Sequence, residues 1–163
     1  MVSPEMIRRY TYFAGLTSEQ IVRLATVADE QEVAAGHYFF REGDMLDSFY
    51  IVLEGQVVTV IELIAKGKTS AIAELTERER EVTISTIGRG EAFAWSALIP
   101  PYTASITVRA LSDSRLLAFN CVDLRQQFET DPSFGYLLTQ RAAQGLRDRL
   151  RDLRIEALTL AAM

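Results

Sequence analysis

Residues 49–57 read FYIVLEGQV, and this stretch decides the fold. An apolar run ends at Glu54-Gly55, and a glycine at such a point is typical of a tight turn. A second, largely apolar run follows over residues 56–61. We predict a strand, a turn and a returning strand that pairs with the first as a hairpin.

Similar short segments recur on both sides of this stretch. Residues 82–87 alternate between a face of Val82, Ile84 and Thr86 and a face of Thr83, Ser85 and Ile87. Further strands are predicted at residues 32–34, 38–40, 105–110 and 114–119, with turn residues between most of them. Many short strands separated by glycine-containing turns indicate an antiparallel β-roll or jelly roll.

The two ends of the chain have helical periodicity instead. Thr17 and Gln20 are spaced as a capping box, and the segment after them has an apolar stripe of Ile21, Leu24, Ala25 and Ala28. We therefore predict a mainly β domain with flanking helices that spans residues 1–163. Its parts are N-terminal helices (1–30), the roll (31–120) and C-terminal helices (121–163).

The last helix is predicted to run from Pro132 to about Ala161, a length of about 40 Å. One side of it repeats apolar and small residues at alternating gaps of three and four, the spacing of a coiled-coil seam. The seam residues are Ala143, Leu146, Leu150, Leu153, Ala157 and Leu160. This stripe either packs on the chain's own roll or pairs with a second copy. We favour a homodimer, because the stripe is longer than a roll of this size covers.

Composition excludes several classes of protein. The net charge of −5 argues against nucleic-acid binding through bulk electrostatics. The single cysteine, Cys121, cannot form an internal disulfide, so we expect a reducing, cytoplasmic location. The sequence has neither the long apolar run of a membrane span nor the apolar stretch of a secretory signal.

Catalysis is not expected either. His37 is the one histidine of the chain, so a metal site built from clustered histidines, as in jelly-roll enzymes of the cupin type, is excluded. It is predicted to lie in a turn at the entrance of a strand. Cys121 has no histidine partner in a motif and is predicted to be a small buried residue.

Residues 65–80 interrupt the rhythm of strands and turns. Lysines and arginines balance glutamates in this segment, and Ile72 and Leu75 are the apolar residues of a short helical pattern. The segment is either a solvated insertion or a flap that docks a partner through Ile72 and Leu75.

Five segments, in order along the chain, together resemble the cyclic-nucleotide-binding domain family. This family includes the sensor half of catabolite-activator-type regulators and the regulatory domains of kinases and channels. The segments are 13–17 (FAGLT), 40–44 (FREGD) after Ala35-Gly36, 49–57 (FYIVLEGQV), 87–90 (IGRG) and the cassette GEAFAWSALIPP at 90–101, which continues as ASITV at 104–108.

The family cassette, which falls on residues 88–107, implies a ligand pocket. In the family a glutamate of a Gly-Glu pair holds the ribose hydroxyl, and an arginine pairs with the cyclic phosphate. The Gly-Glu pair falls here on Ala94-Trp95, and the arginine falls on Ala104. The resemblance assigns the pocket to Gly90, Phe93, Ala94, Trp95, Ser96, Ala97, Leu98, Thr103, Ala104 and Ser105.

The implied occupant is cAMP, cGMP or another small ligand. A buried phosphate without its arginine loses on the order of 3–5 kcal/mol, so we do not expect high-affinity binding of cAMP or cGMP. Backbone N–H groups of a cassette helix at about residues 92–98, with the hydroxyls of Thr103 and Ser105, remain to hold an anion weakly. Arg109 occupies a variable strand position and is not expected to replace the missing arginine.

Trp95 leaves two functions open. Either it fills the vacated pocket, or it forms an aromatic wall for a less charged ligand. The first reading favours a structural interaction domain, and the second favours a regulatory, ligand-sensing module with a signalling protein as partner. We favour the regulatory module. Since the sequence ends at Met163, we expect no helix-turn-helix for reading DNA.

Overall fold

Two four-stranded sheets form the body of the protein in the computed structural model, which describes residues 1–62 and 81–162. Helices flank the sheets at both ends of the chain. The predicted antiparallel β-roll with a long C-terminal helix is confirmed. The predicted insertion at 65–80 lies outside the described residues.

The N-terminal helices are α1 (Pro4–Arg8), a 3-10 helix (Thr11–Phe13) and α2 (Ser18–Thr26). The predicted capping box begins α2. The Gln20 N–H donates to Thr17 Oγ1 at 3.1 Å, and the Thr17 N–H donates to Gln20 Oε1 at 3.0 Å. Both contacts satisfy N–H groups that the helix itself leaves unpaired.

The C-terminal helices are α3 (Cys121–Thr130) and α4 (Pro132–Ala161). Asn120 caps α3 through its side-chain oxygen, and Asp131 caps α4 by accepting the Phe134 N–H at 3.3 Å. Pro132 stands at the first helical position, where the missing N–H costs nothing. The predicted long helix is therefore present with the expected limits.

Strands that follow one another in the chain lie in opposite sheets, except β4 and β5, which pair with each other. One sheet has the order β1-β8-β3-β6, and the other has the order β2-β7-β4-β5. The strands are β1 (Ala28–Val33), β2 (Tyr38–Phe40), β3 (Ser48–Glu54), β4 (Val57–Glu62), β5 (Glu81–Ile87), β6 (Ala92–Phe93), β7 (Thr107–Ala110) and β8 (Ser114–Asn120).

The predicted hairpin of β3 and β4 is wrong, although the turn between them is present. β3 pairs with β8 and β6, whereas β4 pairs with β5 and β7, so the chain crosses between sheets at Gly55. Gly55 has a φ of +92°, and a Cβ there would lie 2.4 Å from Ser114 Oγ of β8. A turn signal fixes where the chain reverses, but not which strand receives its hydrogen bonds.

Two further expectations are corrected. Ala28 belongs to the start of β1 and not to the helical stripe of α2, although it is fully buried. Residues 82–87 do not alternate strictly, because a register shift between Thr59 and Val60 disturbs the pairing of β4 with β5. Of the β5 residues, Ile87 is fully buried.

Aromatic rings fill the core between the sheets and the helices. Phe49 of β3 stacks on Phe119 of β8 with ring centroids 4.5 Å apart, and Phe13 packs against Phe119 at 5.6 Å. From the other side, Phe134, Leu138 and Ala142 of α4 are completely buried. This packing places the first half of α4 against the cassette.

Candidate ligand cradle

The cassette begins as a strand and ends as a short 3-10 helix. Ala92 and Phe93 form β6 and pair with Ile51 and Tyr50 of β3. The 3-10 helix covers Trp95–Leu98. The helix predicted at about 92–98 is therefore shorter and begins three residues later, because β6 uses its first residues in the sheet. It offers fewer aligned backbone dipoles to an anion than predicted.

Ala94 joins β6 to the 3-10 helix in the left-handed region, with φ 67° and ψ 31°. A residue with a Cβ pays roughly 1–2 kcal/mol for this conformation, which glycine adopts freely. The family motif has glycine at this position. Ala94 thus adopts, with strain, a conformation that a glycine would adopt freely.

Trp95 lies in the interface between the roll and α4. Its side chain is nearly buried, with 4% of the residue exposed. The indole stacks on Phe49 at 4.6 Å between centroids and meets the edge of Tyr12 at 5.7 Å. On the side of α4 it contacts Gly145, where a Cβ would fall 2.1 Å from Trp95 Cδ1.

A small cavity lies beside the indole. Its lining is mostly apolar, and the cavity volume is about 40 Å³. One water takes about 30 Å³ in the liquid, whereas pockets for small molecules commonly begin at about 300 Å³. A nucleotide therefore does not fit the cavity in this conformation.

Six of the predicted pocket residues line this cavity: Phe93, Ala94, Trp95, Ser96, Ala104 and Ser105. The other four lie elsewhere. Gly90 forms a turn and donates its N–H to the Val52 carbonyl at 2.7 Å. Ala97 and Leu98 are buried in the core, and Thr103 forms a β-bridge with Met45.

Among the described residues, one charged side chain lines the cavity, that of Arg149. Its Nη2 donates to the Ala92 carbonyl at 3.0 Å, and its Nη1 lies 3.3 Å from Asp152 Oδ2. Sequence reasoning missed Arg149, because it comes from the middle of α4 and no motif connects it with the cassette. The guanidinium has protein partners already and replaces a cyclic-phosphate contact only by giving them up.

Arg109 is paired with Glu81 and does not provide an unpaired positive charge for a ligand. Its Nε donates to Glu81 Oε2 at 2.8 Å, and both side chains are almost buried, with exposures of 10% and 2%. Tyr38 also donates to Glu81 through its hydroxyl. The expectation that Arg109 does not replace the missing arginine agrees with this pairing, because breaking a buried ion pair is costly.

The hydroxyl of Thr59, another lining residue that the sequence did not reveal, is also engaged. Thr59 Oγ1 lies 2.7 Å from Ser85 Oγ and accepts the Ser85 N–H at 3.1 Å. Two of the polar side chains of the cavity thus have partners within the protein.

His37 and Cys121, the two residues considered for catalysis, do not line the cavity. His37 lies at the entrance of β2, exposed and with its ring 5.2 Å from that of Phe39. Cys121 is completely buried, and burial raises the pKa of its thiol to about 12. The thiol is therefore protonated at neutral pH and is a poor nucleophile. Within residues 1–62 and 81–162, no cluster of potential metal ligands is present.

The residues of the predicted seam of α4 differ in their exposure to solvent. Leu146 packs against the core and lines the cavity. Leu150 and Leu160 are 67% and 53% exposed, Ala143 and Ala157 are exposed, and Leu153 is half-buried. The roll thus covers little of the seam beyond Leu146.

A cradle of this shape, made by a short cassette between a β-roll and a long helix, agrees with the comparison to protein families. The family model described as cyclic nucleotide-binding domain matches residues 30–131, which is more than half of the chain. The chain belongs to the cyclic nucleotide-binding domain family.

Similar solved structures share this fold. The crystal structure of a "Putative Cyclic nucleotide-binding protein" from Geobacter metallireducens is 28% identical, with a TM-score of 0.74, and the match covers 92% of this chain and 99% of that one. The N-terminal domain of a transcriptional regulator from Streptomyces coelicolor is 29% identical, with a TM-score of 0.61, and the match covers 86% and 89% of the two chains.

A longer relative is the "Putative potassium channel protein RPA4233" of Rhodopseudomonas palustris, which is 27% identical over 161 residues. The match covers 96% of this chain but 35% of the relative, so the chain spans about a third of that protein's length. Across the described residues, each helix is too short or too polar to cross a lipid bilayer.

Proposed function

We propose that this protein is a non-catalytic regulatory module of the cyclic-nucleotide-binding type that does not hold cAMP or cGMP with high affinity. The observation that supports the proposal is the burial of Trp95 and Ala104, which stand where the family motif has its ribose-binding glutamate and its phosphate-binding arginine. A cyclic phosphate keeps a full negative charge, and burying it without a positive partner is expensive.

Two further observations support the proposal. The cavity is too small for a nucleotide, and Arg149 already donates to Ala92 and pairs with Asp152. A ligand of this cradle would therefore be small and mostly apolar, or would have to displace the indole of Trp95.

A thermal-unfolding titration tests this function. We expect millimolar cAMP or cGMP to leave the melting temperature unchanged, because a ligand stabilises only the state that binds it. A concentration-dependent rise with either nucleotide would refute the proposal. Arg149→Gln then identifies the phosphate partner: loss of the rise would assign that role to Arg149.

The exposed seam of α4 supports a second proposal, a homodimer formed through this helix. Leu150, Leu153, Ala157 and Leu160 follow the coiled-coil spacing, and three of them are exposed to solvent in the single chain. Isolated exposed leucines are ordinary, but a row at this spacing is typical of helix pairing.

Two leucines of α4 give a matched test of the dimer. Leu150 lies in the seam and is 67% exposed, whereas Leu158 lies outside the seam and is 64% exposed. Sedimentation of Leu150→Glu should show monomer at concentrations where the wild type and Leu158→Glu are dimers. Equal behaviour of the two variants would exclude the seam as the interface.

We further propose that residues 1–163 act as one cytoplasmic, non-catalytic unit that regulates a signalling partner. The transcriptional regulator and the channel among the relatives support a regulatory role. A pull-down with and without Leu150→Glu would show whether such a partner uses the same helix.

A further inference from the structure

We propose that the aromatic latch, in which Arg141, Gly145 and Arg149 of α4 hold Trp95 and its neighbours, keeps the long helix closed on the roll without any ligand. This inference rests on the proposed function, because a cradle that does not bind a nucleotide needs another means to position α4. Trp95 is thus a positioning residue for the helix.

The latch residues are spaced by four and therefore share one face of α4. Arg141 Nε donates to the Tyr12 carbonyl at 2.7 Å, and its Nη2 donates to the Ala14 carbonyl at 3.0 Å. One turn beyond Gly145, Arg149 Nη2 donates to the Ala92 carbonyl at 3.0 Å. Both guanidinium groups thus bind main-chain carbonyls of segments next to the indole, since Tyr12 contacts Trp95 and Ala92 precedes it by three residues.

Gly145 leaves the space that the indole occupies. Besides Trp95 Cδ1, an added Cβ would meet Trp95 Nε1 at 2.4 Å, closer than real contacts of this kind. Glycine is unfavourable in the interior of a helix, so the residue weakens α4 locally. The indole of Trp95 fills this space and compensates for the weakened helix by packing, since it also stacks on Phe49 and contacts Tyr12.

The contact between Trp95 and α4 limits which ligands can move the helix. A ligand moves a helix only if it binds one helix arrangement better than another. Here the contact that favours the closed arrangement is part of the chain, and the arginines strengthen it. A molecule that leaves the indole in place therefore does not release α4, and release requires that Trp95 move.

Gly145→Ala tests the latch in the full-length protein, and Trp95, the one tryptophan of the chain, reports on it by fluorescence. We expect emission at longer wavelength, as the indole becomes more exposed. We also expect amide exchange at residues 141–149 to accelerate by about tenfold or more, the size of effect that overpacking produces. Since alanine is the better helix former, unchanged emission with slower exchange would overturn the proposal.

Trp95→Phe provides a second, milder variant, which keeps a ring in the stack on Phe49 but shortens it toward Gly145. In this background Gly145→Ala should accelerate exchange much less than in the wild type. Equal effects in both backgrounds would show that the two residues do not interact and would overturn the latch. These outcomes do not depend on nucleotide binding, so the latch and the proposed function fail separately.

Discussion

The two halves of α4 differ in their surroundings. In the first half, Phe134, Leu138 and Ala142 are completely buried against the roll, and Gly135 and Gly145 each receive an aromatic ring. In the second half, Leu150, Leu158 and Leu160 are more than half exposed. The apolar spacing is helical in both.

The difference shows how a single helix packs against the protein with one half and exposes leucines to solvent with the other. Glycines mark the attached half: a Cβ on Gly135 would lie 2.8 Å from Phe128 of α3, and one on Gly145 would collide with Trp95. The second half, residues 147–161, has no glycine; it contacts the roll through Arg149, and Leu150, Leu158 and Leu160 stay exposed. The first half therefore fixes where the second half points.

The largest effect should follow from removing the indole that the first half receives. Trp95→Ala is expected to lower the free energy of unfolding by about 3–5 kcal/mol, through lost burial and a residual cavity. Denaturant unfolding measures this change. Leu158→Ala, in the exposed half, should change stability by no more than about 0.5 kcal/mol. Similar losses in both variants would remove the distinction between the halves.

Gly135→Ala sharpens the comparison at the junction with α3. The added methyl should destabilise by about 1–3 kcal/mol through overpacking against Phe128, less the gain of up to about 1 kcal/mol in helix propensity. Gln144→Ala, at an exposed position of the same helix, is the control. A net rise in the denaturation midpoint of Gly135→Ala would show that the ring does not need this space.

Ala94→Gly, in the cassette next to Trp95, should raise the stability of the protein, whereas the preceding substitutions lower it. Relief of the left-handed conformation is expected to raise stability by about 1 kcal/mol, offset in part by the greater freedom of glycine in the unfolded chain. Thermal unfolding measures the change. A clear loss of stability would mean that the methyl group of Ala94 contributes packing that outweighs the strain.

The smallest effect is expected from the pH dependence of the cap that begins α4. The hydrogen bond from Arg23, aided by Gln20 and Ser133, lowers the pKa of Asp131. The stabilisation is therefore present above the unfolded pKa of about 3.9 and is lost as the pH falls below it.

Asp131→Asn removes this titration. The stability difference between wild type and variant should be constant near neutral pH and shrink as the pH falls below about 4. Unfolding curves across this range measure it. A difference that does not change with pH would show that the carboxylate contributes nothing as a charge.

Much of the fold follows from local sequence signals. Thr17 with Gln20, Asp131 with Pro132 and the turn at Gly55 carry their information within a few residues, so the elements they begin or join were predictable. Strand partners were not, because β3 and β4 are adjacent in sequence and belong to different sheets. Hydrogen-bond partners depend on segments distant in the chain.

The cradle was predictable only in part for the same reason. The cassette motif located Trp95 and Ala104, but not the direction of the indole, which depends on Gly145, fifty positions later in the chain. Arg149 and Thr59 reach the cavity from α4 and β4, and neither stands in the cassette. Spacing within one motif does not reveal such long-range contacts.

Amide hydrogen exchange at residues 92–98 and 134–146, measured with and without millimolar cAMP, tests most directly the claim that the cassette and α4 are already closed together. We predict slow exchange in the free protein and no change when the nucleotide is added. Fast exchange in the free protein that slows on addition of cAMP would contradict the claim.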